Sequence, residues 1–289
     1  MNESLTDLEG EESWDLIISP TRKWWDFRIK ELWEYRDLIV LFVKRDFIAT
    51  YKQTILGPLW YLINPILNTV VFTFIFNNIA GLSTDETPPF LFYMTGTVVW
   101  SYFSNVLITT SNTFVGNEGI FGKVYFPRMT VPVSLVFSGL VKFIIQYFLF
   151  LIFLFYFMVQ GSSIRPNLWV LATPVLILIM AGFGLGAGVI VSALTTKYRD
   201  LQGLVPIGTQ LMMYLTPIIY PVSSIPDKYR PILFLNPLTS VFETLRYAYL
   251  GSGTLDLNSL VYSLIFMVGL LMVGTALFNR VEATFMDTV

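Results

Sequence analysis

Three groups of side chains in this sequence have types and spacings that could serve recognition or chemistry. Trp60, Asn64 and Asn68 are four residues apart and share one helix face, with Tyr61 beside them. Aromatic faces pack on sugar rings and amides bond sugar hydroxyls, so this stripe could line a pathway. The same residues could instead bond between helices or anchor at the headgroup level. Ser101, Asn105, Thr109 and Asn112 form a second polar stripe, with Trp100 and Tyr102 near one end, open to the same two readings.

The third group is the segment GNEGIFGKVYFPRM (116–129), which carries Asn117, Lys123, Tyr125, Pro127 and Arg128. A free loop rarely presents Ile120, Phe121, Val124, Tyr125 and Phe126 to water, so this one is expected to dock a partner or to lie flat at a membrane. Lys142 stands alone inside an apolar stretch, with no carboxylate in any such stretch to pair with it. A proton-driven carrier normally needs an Asp, Glu or His relay at that depth. A lysine that snorkels or caps carbonyls at a helix contact is the plainer expectation. Gly182 with Gly186, and Gly184 with Gly188, are small-residue pairs expected to let helices approach closely.

Other chemistries are excluded by what the chain lacks. It has no cysteine and no histidine, which removes disulfides, thiol nucleophiles, imidazole bases and ordinary zinc sites. No GxxxxGK[ST] run cradles a nucleotide. Acidic residues concentrate in the first 13 positions and are otherwise scattered, unlike the metal-binding carboxylate cluster of a membrane glycosyltransferase. The chain is expected to be no enzyme and to need no metal or cofactor. A net charge of −2 argues against nucleic acid as a partner.

The elements that position these groups are set by composition. Of 289 residues, 54% are hydrophobic and only 13% charged, about half the charge density of a soluble domain. Stretches of roughly 20 apolar residues cross a bilayer as helices. Five are long enough: 55–80, 90–115, 131–159, 168–194 and 257–278. A sixth, 204–220, sits at the lower limit. Residues 1–13 read as disordered, with no cleaved signal peptide expected. Trp24, Trp25, Phe27 and Trp33, mixed with Arg22, Lys23, Arg28 and Lys30, read as a headgroup-level segment. In 32–52, Leu32, Tyr35, Ile39, Phe42, Val43 and Phe47 form an imperfect apolar stripe opposed by Glu34, Asp37 and Lys44, as in an amphipathic helix lying on the membrane. A tail (1–31) and one membrane domain (32–289) follow.

Basic residues orient the chain. With a cytoplasmic N-terminus, Arg22, Lys23, Arg28, Lys30, Arg36, Lys44, Arg45, Lys52, Lys123, Arg128, Lys197, Arg199 and Arg280 lie inside. Only Arg165, Lys228, Arg230 and Arg246 lie outside, so both termini are expected in the cytoplasm. The connection 221–256 is too apolar for a free loop and too interrupted to span. Asn236-Pro237 is a helix start and Gly251 and Gly253 mark a stop. Two short re-entrant helices are expected there, buried in protein because backbone at that depth must be. A helical hairpin on the surface is the alternative.

The ordered set LWEYRDLIVLFVKRDFIATYKQTILGPLWYLINP, NEGIFGKVYFPR, TTKYRDLQ, LTPIIYP and LNPLTSVFETLR resembles the membrane permease of bacterial ABC exporters for lipid-carrier-linked polysaccharides. These export O-antigen, capsule or teichoic acid, and the resemblance runs from Trp33 to Phe285. It implies an all-α permease in the inner membrane, working as a homodimer with a separate ATP-hydrolysing subunit and surrounded by membrane lipid. It also implies that Lys44, Arg45 and Lys52 meet the lipid diphosphate at the cytoplasmic entrance. The glycan would thread past aromatic side chains, and residues 117–128 would be the coupling helix seated on the ATPase. Residues 223–250 would form the outer gate, which carries Asn236, Pro237, Glu243 and Arg246. A permease for small molecules or drugs shares this architecture and is the second reading. The acidic first 13 residues and Lys142 fall outside the matched pattern.

Overall fold

The computed structural model describes residues 29–52 and 55–288. The expected disordered and headgroup-level segments up to Arg28 lie outside the described residues. Two helices lead in, α1 (Ile29–Glu34) and α2 (Arg36–Tyr51). A 3-10 turn at Gly57–Leu59 leads into α3 (Trp60–Phe72), which continues as π-helix over Thr73–Ile79. Next come α4 (Pro89–Ser111) and two single-turn helices, α5 (Thr113–Gly116) and α6 (Glu118–Phe121). Then follow α7 (Thr130–Val159), α8 (Thr173–Thr195) and α9 (Leu201–Leu215). A short pair, α10 (Arg230–Leu235) and α11 (Leu238–Leu250), precedes α12 (Leu257–Thr288).

Among the described residues five helices are long and apolar enough to cross a membrane: Gly57–Ile79, Pro89–Ser111, Thr130–Val159, Leu168–Thr195 and Leu257–Glu282. The sixth expected span is α9, whose 15 helical residues rise about 22 Å at about 1.5 Å each. Beyond Leu215 the backbone turns extended at Thr216.

Successive long helices alternate in direction and define two ends. The loop end carries α2, α5, α6 and residues 195–202; the hairpin end carries α10 and α11. α4 is the axle, packed along α7 and α8 with α3, α9 and α11 against it. Its residues from Leu91 to Trp100 are all buried. α3, α7 and α12 instead turn apolar side chains outward, among them Phe74, Phe148, Ile152, Phe155 and Ile265. A face of that kind is stable only in lipid or against another apolar surface.

The glycines of α8 divide between its two neighbours. A Cβ on Gly182 would lie 2.4 Å from the Met267 sulfur, and one on Gly186 would lie 3.1 Å from the Leu270 backbone, both on α12. On Gly184 it would meet Val106 at 2.8 Å and on Gly188 the Thr110 hydroxyl at 1.7 Å, both on α4. One small-residue pair thus serves each partner, and each glycine lets its neighbour approach closer than ordinary Cβ contacts allow.

α2 lies along α7. Leu32, Tyr35, Ile39, Phe42 and Val43 turn inward or half-inward as the stripe requires, but Phe47 stays outward with Val40, Leu41 and Ile48. The helix is therefore apolar on two sides, one covered by α7 and one turned outward. At the hairpin end the expected pair of short helices is present, and nearly all of α11 is buried against α4, α8, α12 and the 3-10 segment Leu168–Ala172. Gly251 ends α11 at φ 75°, the left-handed stop that glycine adopts without a Cβ penalty.

Candidate functional site

At the loop end, α2, α4, α5, α7 and the first turn of α9 enclose an open cavity of about 470 Å³. Arg45, Ile108, Thr109, Ser111, Asn112, Gly116, Asn117, Leu135 and Gln202 line it. Arg45 lies over the Phe42 ring at 4.7 Å, and its Nε and Nη2 donate to Asp46 Oδ1 at 3.0 and 2.8 Å. The other carboxylate oxygen, Oδ2, accepts from Ser138 on α7 at 3.3 Å. On the opposite wall Gln202 Nε2 donates to Asn112 Oδ1 at 2.9 Å, which joins α9 to the end of α4. Asn117 Nδ2 donates to the Thr113 carbonyl at 2.9 Å. Lys44 and Lys52 are exposed and are not among the described residues lining the cavity.

The isolated Lys142 meets groups on two other helices, α3 and α2. Its ammonium sits 5.7 Å from the centre of the Tyr61 ring, and the carboxylate acting on it is Asp46 of α2. Asp46 belongs to the lead-in helix α2, so the apolar stretches alone give no sign of it. Asp46 thereby receives Arg45, Ser138 and the field of Lys142, which ties α2 to α7.

The first polar stripe divides. Tyr61 is buried, whereas Trp60, Asn64 and Asn68 face out of the subunit. Two amides facing hydrocarbon would be costly, so that face suits a polar path or another protein surface. The second stripe divides as well. Ser101 donates to Gln146 on α7 at 3.0 Å and Asn105 lies against Gly139 of the same helix, a helix-packing role. Thr109 and Asn112, one and two turns further on, line the cavity.

The 116–129 loop has an outer edge and an inner anchor. Ile120, Lys123, Val124 and Tyr125 are exposed, Tyr125 to 56%. Phe121 and Phe126, expected to face a partner, turn into a small core with Phe42, Phe114 and Phe278 of this same chain. Pro127 and Arg128 are buried too. Arg128 Nη1 donates to the Glu282 carbonyl of α12 at 2.8 Å, and its guanidinium lies 5.6 Å from the Phe121 ring centre. Five aromatics in one short core explain why a loop this apolar is ordered.

At the hairpin end Glu243 and Arg246 meet in one buried cluster. Arg246 is 1% exposed, stacks on Phe92 at 3.8 Å and pairs with Glu243 at 3.3 Å. It also donates to the carbonyls of Ile218 at 2.8 Å and Tyr220 at 3.4 Å, just past α9. Glu243 Oε2 accepts from the backbone N–H of Thr254 at 3.1 Å. That closure requires Gly253, at φ 92°, where a Cβ would stand 2.8 Å from the Glu243 carbonyl. Asn236 caps α11 by accepting from the Leu238 N–H at 3.0 Å, as its type and place suggest, and its Nδ2 donates to Thr216 at 2.9 Å. Pro237 follows at the first turn, and its carbonyl accepts from Ser263 of α12 at 2.5 Å. The hairpin is thus pinned to α9, α4 and α12.

A multi-pass helical membrane protein results, with an amide-lined cavity and an apolar-edged loop at one end and a pinned helix pair at the other. Residues 37–250 match the ABC-2 type transporter family, and the chain belongs to it. It is 31% identical over 254 residues to the O-antigen export system permease protein RfbA of Klebsiella pneumoniae, a match covering 87% of this chain and 94% of that protein. The protein of the same name from Myxococcus xanthus is 28% identical over 263 residues, 90% of this chain and 98% of the relative. The polysialic acid transport protein KpsM of Escherichia coli is 23% identical over 241 residues, 82% of this chain and 91% of the relative. The cavity and the Glu243–Arg246 cluster both fall inside the family match.

Proposed function

We propose that this chain is the membrane subunit of an ATP-driven polysaccharide exporter. The observation that carries the reading is its likeness, over more than four-fifths of its length, to two O-antigen export permeases and a polysialic acid transporter. Relatives named for long glycans favour that cargo over the small-molecule alternative. The chain works as a homodimer in the inner membrane, and a separate cytoplasmic ABC subunit hydrolyses ATP. The substrate is a glycan linked to a lipid diphosphate. Six passes put both termini in the cytoplasm, α9 being the short pass and α10–α11 a re-entrant pair at the outer gate.

Under this reading the loop end is cytoplasmic, in keeping with its excess of lysine and arginine. The exposed residues Ile120, Lys123, Val124 and Tyr125 form the surface offered to the ATPase. Trp60, Asn64 and Asn68 face the second subunit and the glycan path between them, with Lys44, Arg45 and Lys52 near the entrance. ATP-driven closure of the partner subunits pushes on the loop and changes how the two permeases pack. Co-purification with the ATP-binding subunit, followed by ATPase measurement with and without glycan-linked lipid, tests the reading. Glycan-dependent turnover is expected; a stable complex that transports drugs and ignores glycan lipids would overturn it.

A further inference from the structure

Lys142 is the one charged side chain of α7, and nothing in the exporter reading gives it a task. A half-buried ammonium inside a spanning helix is costly, so the groups that offset it show what it serves. Its Nζ lies 5.7 Å from the centre of the buried Tyr61 ring, inside the cation–π range of about 6 Å. The carboxylate that attracts it is Asp46 of α2, whose Oδ2 accepts from Ser138, one turn before Lys142 on α7. α7 thus holds Asp46 with a hydroxyl and, one turn further on, with a positive charge.

Asp46 in turn decides where Arg45 sits. Neighbouring residues on a helix do not face each other, so these two side chains meet only because the guanidinium folds over the Phe42 ring and brings Nε and Nη2 onto Oδ1. Among the described residues its other three N–H bonds stay unspent, and Arg45 lines the cavity at the loop end. Lys142, Asp46 and Arg45 together carry two positive charges and one negative. Among the described residues α3, α7 and the cavity lining add no carboxylate. Asp46 is therefore shared, and the charge it offers Lys142 is withheld from Arg45. Without Lys142 the carboxylate would have Arg45 alone to satisfy, and the two would close into an ordinary pair.

We propose that Lys142 is a positioning residue, which acts through Asp46 to hold the Arg45 guanidinium open toward the lipid diphosphate of the exported glycan. The inference rests on the exporter reading above. It places a relay from α3 through α7 and α2 to the cavity, built on a lysine that the polar stripes do not include.

The test uses the full complex with its ATP-binding subunit in nanodiscs and two probes: a hexose oligosaccharide on a polyprenyl diphosphate, and the same oligosaccharide on an uncharged polyprenyl ether. Lys142→Met removes the charge at similar length, Lys142→Arg keeps it, and Arg45→Ala removes the group acted on. The wild type is expected to prefer the diphosphate, and Lys142→Met to cut that affinity about tenfold, as for one misaimed charge-assisted bond. Affinity for the ether should stay put, and Lys142→Arg should recover most of the loss. On an Arg45→Ala background, Lys142→Met should cost nothing more. A merely structural lysine would weaken both probes alike, or add its loss to that of Arg45→Ala, and either result would overturn the proposal. So would a Lys142→Arg as weak as Lys142→Met, or a wild type with no preference for the diphosphate. If Lys142→Met fails to assemble, Ser138→Ala removes the other hold on Asp46 and must show the same dependence on Arg45. A wild-type complex that binds neither probe would overturn the exporter reading itself.

Discussion

Gly188→Ala is the most quantitative consequence of the packing. The new Cβ would stand 1.7 Å from Thr110 Oγ1, half the 3.4 Å at which such contacts become ordinary. Turning the hydroxyl away does not relieve it, because Thr110 Cβ at 2.8 Å and the Leu107 carbonyl at 3.0 Å are also too close. Thr110 is fully buried, and its hydroxyl bonds the Val106 carbonyl at 2.7 Å. α4 and α8 must therefore separate along the seam that holds the axle of the bundle. Overpacking of this kind costs about 1–3 kcal/mol, and a clash against backbone belongs at the upper end. Gly208→Ala is the matched control, since nothing lies within 4 Å of its Cβ position and alanine favours helix by up to about 1 kcal/mol. Unfolding in mixed micelles, followed by tryptophan fluorescence, should place Gly188→Ala about 3 kcal/mol below wild type and Gly208→Ala at or above it. Adding Thr110→Ala should restore part of the loss, a coupling that a double-mutant cycle measures. If Gly188→Ala were as stable as Gly208→Ala, the close approach of α4 and α8 would be refuted.

Arg246→Met leaves Glu243 buried with its charge unmatched and should destabilise by about 3–5 kcal/mol in the same assay. The double variant with Glu243→Gln should recover most of that, and a milder single variant would argue against the buried pair. Val124→Asp alters the exposed edge of the loop, so it should lower ATPase-subunit binding at least about tenfold, read by co-purification, with little change in melting. Lys123→Ala should uncouple ATPase activity from glycan while leaving the complex intact, checked by ATP turnover with and without glycan lipid. Arg128→Ala should instead lower the melting temperature, because it cuts the bond to α12; if it changed only ATPase association, the anchor assignment would fail. Arg45→Ala should stop export in vesicles while the dimer still assembles, and unchanged export would remove it from the entrance.

The helical membrane architecture was legible in the sequence because it rests on length and continuous apolarity, which need no tertiary information. The glycine pairs and the Asn236-Pro237 cap were legible for the same reason: each states a local steric or capping rule. What sequence could not reveal is which face meets what. Ser101 and Asn105 look like Asn64 and Asn68 in type and spacing, yet one pair packs on α7 and the other looks outward. Phe121 and Phe126 look like Val124 and Tyr125, yet the first two fill this chain's own core. Gln202 gave no signal at all, since a lone glutamine after a loop is ordinary until Asn112 arrives from 90 positions away. The influence of Asp46 on Lys142 left no trace in the apolar stretches, because Asp46 lies before them on α2.

The last long helix has a mechanical meaning in the way it is held. Near its start Ser263 is bonded to Ser240 and to the Pro237 carbonyl of the hairpin, and near its other end the Glu282 carbonyl holds Arg128. The two fastenings are 19 positions apart on unbroken helix, a strut of about 28 Å packed against α8. A helix resists compression far better than it resists bending, so such a strut delivers a push at one end as a displacement at the other. Loop and hairpin are thereby fastened to one and the same helix, 19 positions apart on it.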